Sequence, residues 1–363
     1  MGSSAGTRFY RPELDIVRLL AFLLVFVHHS SPRTPNSAAT ISSTFVDAAG
    51  FGLPLFFVLS AYLITTLLLR EKLATGTIAI GKFYQRRILR IWPLYFGALL
   101  TGFLFSVAHG HFQLDWRWYL AACFMLGNTN ILGGTVFAHL WSISIEEQFY
   151  VVWPGLARKL STRHLVFAAA AIILVANLVL IHYGRIHACS DYPVWFNSFV
   201  QFEMFAAGIL LAIITPNPTS WLSSYAARTV CIAGVFATLF ATEYFFHIET
   251  VGYPSSGPLS LCLGYALVAG SCALLTYAVL GSRGWPKWLV HLGKVSYGLY
   301  VFHLPVISVF SRVQLHASLW VHQTLSLLVT IVLALLSYRF FETPFLKMKQ
   351  RLEVISSRPV EID

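Results

Sequence analysis

The first apolar stretch, residues 14–33, carries Asp15, Arg18, His28 and His29, four groups able to do chemistry. Ionisable side chains inside an apolar helix are costly unless paired or wet, so each marks a candidate functional site. Arg18 and His29 are eleven residues apart, close to three helical turns, which sets them on one face about 16 Å apart along the axis. Asp15 falls on nearly the same face. A cation near one end and an imidazole deep in the apolar stretch suit a long ligand with an anionic head and a reactive tip, the shape of an acyl-coenzyme A. His29 could then serve as general base toward a hydroxyl, because imidazole titrates near neutrality. The plainer reading makes Asp15 and Arg18 an intrahelical ion pair and the histidines hydrogen-bonded core residues.

Three further segments hold reactive groups. In 81–93, GKFYQRRILRIWP, the residues Arg86, Arg87 and Arg90 crowd into one or two turns. Guanidinium forks bind phosphate bidentately, although arginines before a span also set topology and touch anionic lipid. In 139–154, HLWSISIEEQFYVVWP, Glu146 and Glu147 interrupt an apolar, aromatic run. Adjacent helical residues point about 100° apart, so at least one carboxylate faces a polar interior, where it orients a histidine, binds sugar hydroxyls or pairs with a neighbouring arginine. In KVSYGLYVFHLPV, Tyr300 and His303 stand one turn apart. With Trp141, they are candidate contacts for a hydroxyl-bearing acceptor, the alternative being satisfied core residues. Glu203 and Glu342 are further acids at or inside span ends; for Glu342, before Thr343-Pro344, helix termination is the plain explanation.

These residues must be positioned by a membrane scaffold. Of the 363 residues, 57% are hydrophobic and 11% charged, against about 45–50% and 25% for a soluble domain. Spans of about 20 mostly apolar residues are predicted at 14–33, 48–69, 91–108, 138–157, 164–182, 193–214, 228–246, 259–280, 290–310 and 319–340. A shorter stretch, 117–131, is broken by Gly127, Asn128 and Asn130. If it does not cross, the basic clusters (Arg8 and Arg11, Arg70 to Arg90, Arg158 to Arg163, Arg228, Arg283 to Lys294, Lys347 to Arg358) fall on one side. The opposite loops keep Arg33, Arg117, Arg185 and Arg312. The positive-inside rule then makes the fold an all-α, polytopic transmembrane bundle of about ten spans with both termini cytoplasmic. The 117–131 segment becomes re-entrant or interfacial and lines a cavity, since irregular backbone at membrane depth must be covered. One membrane domain is expected over 1–347, with a frayed polar tail over 348–363.

The net charge of +10 sits in the loops between spans rather than on a basic face, which argues against nucleic acid. Cys123, Cys189, Cys231, Cys262 and Cys272 are scattered without a CxxC pair, so neither a disulfide framework nor a metal site is expected. The first apolar run lacks a small-residue cleavage site and reads as a retained helix rather than a signal peptide.

Taken in order, RPELDIVRLLAFLLVFVHH, FGLPLFFVLSAYLI, FYQRRILRIWPLYF, LWSISIEEQFYVVWP, KVSYGLYVFHLPV and FFETPF resemble the landmarks of the acyltransferase-3 membrane family over nearly the whole chain. The family's Arg/Lys, ten residues, His pattern falls on Arg18 and His29, and its Arg-x-x-Arg pattern on Arg87 and Arg90. The resemblance implies a ten-span enzyme of the bacterial cytoplasmic membrane that takes an acyl group, usually acetyl, from cytoplasmic acyl-coenzyme A. Acceptor hydroxyls in the family belong to surface polysaccharides or to antibiotics such as macrolides. It further implies that the patterned histidine is catalytic and the arginines aid donor binding. Ser60-Ala61 stands where many members have Ser-Gly, two histidines are adjacent where the pattern needs one, and no hydrolase-like extracellular domain is recognised.

The resulting expectation is an O-acyltransferase with His29 as general base. Asp15, Glu146 or Glu147 would orient or charge-balance it, and Arg18, Arg86, Arg87 and Arg90 would lie on the donor phosphates. Direct transfer is favoured over an acyl-enzyme, because no clear Ser or Cys nucleophile adjoins His29 beyond Ser30. Two rivals remain: a proton-coupled secondary transporter using Glu146, Glu203 and His303, against which stands the lack of internal symmetry, and a donor-binding flippase without chemistry.

Overall fold

The structure is a computed structural model that describes residues 9–32, 40–109, 116–129, 136–186, 192–216, 222, 224–248, 257–312 and 318–355. Arg8, Arg33, Asn130, Cys189 and Arg358 lie outside the described residues, as do the ends of the 117–131 and tail segments. Among the described residues the regular structure is helical throughout. The helices are α1 (Pro12–Ser30), α2 (Ile41–Ala48), α3 (Gly52–Thr75), α4 (Ile80–His109), α5 (Trp116–Cys123), α6 (Trp141–Lys159), α7 (Thr162–Arg185) and α8 (Tyr192–Trp195). They continue with α9 (Ser198–Ile214), α10 (Tyr225–Phe246), α11 (Pro258–Val279), α12 (Lys287–Lys294), α13 (Ser296–Arg312), α14 (Leu319–Leu336) and α15 (Thr343–Gln350).

Among the described residues, six helical runs are long and apolar enough to cross a membrane: Ile41–Thr75, Ile80–Ala108, α7, α10, α11 and Leu319–Gln350. The pair α12 and α13, bent by 70°, makes a seventh if counted as one span. Helices α1, α6 and α9 also lie over predicted spans but fall short of that standard. The first carries Glu13, Asp15 and Arg18, the second Glu146, Glu147, Arg158 and Lys159, and the third is 17 residues long. Two of these three helices, α1 and α6, thus fall short because they carry charged candidate residues, and α9 by its length alone.

The chain divides into two compact units interleaved in sequence. One unit contains residues 66–160 and 294–363 with the first twelve; the other contains 13–65 and 161–293. In the second unit α7 packs on α9 and α11, and α10 on α11 and α2. Small residues let its backbones approach closely: a Cβ at Gly208 of α9 would overlap the Val58 carbonyl of α3, and one at Gly293 would overlap the Asp15 carbonyl of α1. Helix α1 starts with Pro12 at its first position, where the missing N–H is no loss. Its buried Glu13 accepts the Gly281 N–H at 3.1 Å.

In the first unit α4 is the hub, packing against α5, α6, α13, α15 and the turn before α15. The 117–131 stretch forms the short α5, about 12 Å long, then a left-handed residue at Met125 (φ 57°) and a 3₁₀ turn at Gly127–Thr129. Its irregular backbone is satisfied by protein. Tyr95 OH donates to the Ala122 carbonyl (2.8 Å), Gln148 Nε2 to the Met125 carbonyl (2.9 Å), and the Gly127 N–H to Ser144 Oγ (3.2 Å).

One expectation near the C-terminus needs correction. The helix does not end at Glu342: it passes through a π turn, Ser337–Glu342, directly into α15 with Pro344 in its first turn. Thr343 Oγ1 donates to the Tyr338 carbonyl at 2.6 Å, which satisfies a carbonyl of the widened turn. Arg86 Nη1 donates to the Leu352 carbonyl at 3.0 Å, and Lys349 pairs with Glu353 at 3.0 Å.

Candidate active site

Each unit carries its own group of candidate residues. In the second unit, Asp15 and Arg18 form an ion pair of 2.6 Å, with Asp15 fully buried and the Arg18 side chain 18% exposed. Asp15 lies fourteen residues before His29 on the same helix, about 21 Å along the axis, so it does not contact that ring. The expectation that Asp15 orients His29 is replaced by a local role, holding the Arg18 guanidinium.

The two adjacent histidines differ. His28 is buried, and its Nδ1–H donates to the Val46 carbonyl at 3.0 Å, tying α1 to α2. His29 is half-buried, with its ring edge-on to His28 at 5.0 Å between centroids. Burial and a carbonyl bond make His28 a structural residue, and the more accessible imidazole is the one at the Arg-x₁₀-His spacing.

In the first unit, Arg86, Arg87 and Arg90 all rise from α4 but separate in role. Arg86 is committed to Glu71 (3.3 Å) and the Leu352 carbonyl, while Glu71 Oε1 also accepts the Ala79 N–H at 2.7 Å. It therefore braces the ends of α3 and α4 and the tail, and the donor-binding expectation for Arg86 is withdrawn on that geometry. The Arg87 guanidinium lies over Phe83 and Tyr150, 5.6 and 5.4 Å from the ring centroids. Such contacts fix the plane of the fork without using its N–H edge. Arg90, one turn on, is in electrostatic range of Glu342 and Lys349.

Of the two α6 carboxylates, Glu147 is buried and Glu146 half-buried. Glu147 Oε2 accepts the Trp92 Nε1–H at 3.1 Å, and Oε1 has no hydrogen-bond partner among the described residues. A buried acceptor left open is a place for a donor group to bind.

Tyr300 and His303, expected to touch acceptor, instead belong to a closed internal cluster. His303 is fully buried and its Nδ1–H donates to the Tyr300 carbonyl at 2.5 Å. The Tyr300 hydroxyl donates to the His139 carbonyl (2.9 Å) and lies 2.7 Å from Ser142 Oγ. In return, His139 Nε2–H donates to the carbonyls of Tyr300 (3.0 Å) and Val301 (3.2 Å). The Val301 carbonyl needs a partner because Pro305, four residues on, has no N–H to offer it. The entry to α6 and the middle of α13 are thus clamped together, and Tyr300 and His303 position that frame rather than face a ligand. His139 was not singled out from the sequence; its signal was its place before the α6 motif, paired with a proline-interrupted helix elsewhere. Trp141, 6% exposed, is buried at the start of α6. Among the described residues no group of three His, Cys, Asp or Glu side chains could hold a metal ion.

A family model described as an acyltransferase domain matches residues 11–339, and the chain belongs to that acyltransferase-3 family. It is 26% identical over 368 residues to the O-acetyltransferase OatA of Staphylococcus aureus strain NCTC 8325, covering 93% of this chain and 57% of the relative. The same identity and coverage hold for OatA of strain COL. A protein of strain MSSA476, assigned provisionally by name to the O-acetyltransferases, is 26% identical over 392 residues, covering 96% of this chain and 59% of its own length. The chain thus spans less than two thirds of these curated relatives. No solved structure matches it.

Proposed function

We propose that the protein is a ten-span membrane O-acyltransferase with both termini cytoplasmic. It moves an acyl group, most simply acetyl, from cytoplasmic acyl-coenzyme A to a hydroxyl of a carbohydrate or glycosylated small molecule. Family membership and the naming of the relatives as O-acetyltransferases support the reaction class. The observation that carries the mechanism is the contrast at the end of α1, where His28 is locked to a carbonyl and His29 is half-exposed.

In this mechanism His29 accepts the proton of the acceptor hydroxyl as the oxygen attacks the thioester carbonyl. A C–O bond forms, the C–S bond breaks, and the coenzyme A thiolate leaves and takes up a proton. Arg87 and Arg90 on α4 bind the donor phosphates, and Asp15 holds the Arg18 guanidinium in place on α1. Glu147 Oε1 accepts from a hydroxyl of the acceptor.

The test is release of coenzyme A from radiolabelled acetyl-coenzyme A by reconstituted protein with glycan and macrolide acceptors. Loss of a general base costs about 10²–10⁴-fold in rate, so His29→Ala should fall into that range while folding normally. Full transfer by a folded His29→Ala protein removes the mechanism. Proton flux driven by substrate without any acyl donor would replace it with transport.

A further inference from the structure

We propose that Lys349, on the C-terminal helix α15, is a further phosphate-binding cation of the donor site beside Arg87 and Arg90. The inference rests on the donor reading above and extends it to a residue beyond position 339, where the family match ends.

Helix α15 packs against α4, and two contacts fix the segment there. Arg86 Nη1 holds the Leu352 carbonyl at 3.0 Å, and Lys349 Nζ meets Glu353 Oε1 at 3.0 Å. Lys349 is 8% exposed and in electrostatic range of both Arg90 and Arg87. A lysine near a helix end ordinarily extends its ammonium into water along its flexible stem. This one is instead buried among like charges, an arrangement that is unfavourable unless anions share the space.

The carboxylates around the group already have protein partners. Glu71 is on Arg86, Glu342 accepts from Ser337 Oγ at 3.2 Å, Glu147 accepts from Trp92, and Glu353 is the partner of Lys349 itself. A pyrophosphate or phosphate ester offers several acceptor oxygens at once. It suits two planar forks on successive turns of α4 with a compact ammonium across from them. Coenzyme A carries both groups. The phosphate of an anionic lipid headgroup has the same chemistry, and the donor is the occupant proposed here.

The experiment measures coenzyme A and inorganic pyrophosphate binding to the full chain in nanodiscs, comparing wild type with Lys349→Met, Lys349→Arg and Glu353→Gln. Each variant is also scored for retention of anionic lipid. Lys349→Met should weaken coenzyme A binding about tenfold or more, the loss expected for one charge-assisted hydrogen bond, and Lys349→Arg should restore most of it. Glu353→Gln should act in the opposite direction, tightening binding about two- to fivefold by removing a competing carboxylate. A merely structural ion pair predicts that the Lys349→Met and Glu353→Gln variants both lose stability with no opposite shift in binding, and that pattern overturns the proposal. Unchanged coenzyme A affinity in Lys349→Met also overturns it and leaves the donor reading intact, even if lipid retention drops. Wild-type protein that binds neither coenzyme A nor pyrophosphate overturns both readings together.

Discussion

Helices α1 and α7 belong to the same unit, yet they treat their surroundings in opposite ways. On α7 the large apolar side chains Phe167, Leu174 and Leu178 are 60%, 61% and 56% exposed. On α1 the apolar residues Leu14, Val17, Ala21, Phe22 and Val25 are buried, and so are Glu13 and Asp15. In water an exposed apolar stripe like that of α7 would mark a binding site or an aggregation hazard; in hydrocarbon it is the ordinary outer surface. On α1 the residues that carry charge are withdrawn from that surface and packed against protein. The contrast teaches that in this fold departure from apolarity, rather than apolarity itself, points to function.

The strongest way to break the comparison is at the end of α1. His29→Ala should reduce transfer about 10²–10⁴-fold with little change in melting temperature. His28→Ala should do the reverse, because its ring bonds the Val46 carbonyl and loss of a buried hydrogen bond costs about 1–3 kcal/mol. Assays of rate and thermal stability on both variants decide the matter. If His28→Ala is the inactive but stable protein, the assignment of the general base moves by one residue.

On the α4 side the expected effects are smaller and fall on substrate affinity. Arg87→Ala should raise KM for acetyl-coenzyme A about 10–100-fold with kcat nearly unchanged, as expected for charge-assisted bonds made equally in ground and transition states. Arg87→Lys should recover part of this, since an ammonium lacks the fork that Phe83 and Tyr150 hold in plane. Glu147→Gln keeps an oxygen for Trp92 and so tests the second carboxylate oxygen. Acceptor KM should rise about three- to tenfold, and an unchanged KM would reduce Glu147 to a partner for Trp92.

Much of this arrangement was legible from residue types and spacing. Helices lie over all ten predicted stretches, and Arg18, Arg87, Arg90, Glu147 and His29 sit on α1, α4 and α6. What was not legible depended on contacts between residues distant in sequence. Arg86 looks like its neighbours in a run of arginines, and only Glu71 and Leu352 reveal its bracing role. His303 reads as a candidate ligand contact until the clamp with His139 and the proline-freed Val301 carbonyl is seen. The sequence around Glu342 suggested that the helix ends there, because periodicity does not report a π turn that carries the chain into α15, packed on α4. The 70° bend between α12 and α13 likewise leaves no mark in a hydropathy pattern, which sees one apolar stretch where there are two helices.

The smallest expected effect sharpens the comparison most directly, because it lies within one helix. Leu178 and Leu180 are two residues apart on α7, 56% and 0% exposed. Successive helical positions turn by about 100°, so the pair samples two different faces. Leu180→Ala leaves a cavity in packed protein and should cost about 2–5 kcal/mol. Leu178→Ala removes a side chain from the apolar outer face, where lipid refills the space, and should stay within about 0.5 kcal/mol with transfer unchanged. Thermal denaturation in nanodiscs separates these outcomes. Should Leu178→Ala prove as damaging as Leu180→Ala, that face of α7 packs against another polypeptide, and its exposure in the isolated chain marks an assembly surface rather than a lipid boundary.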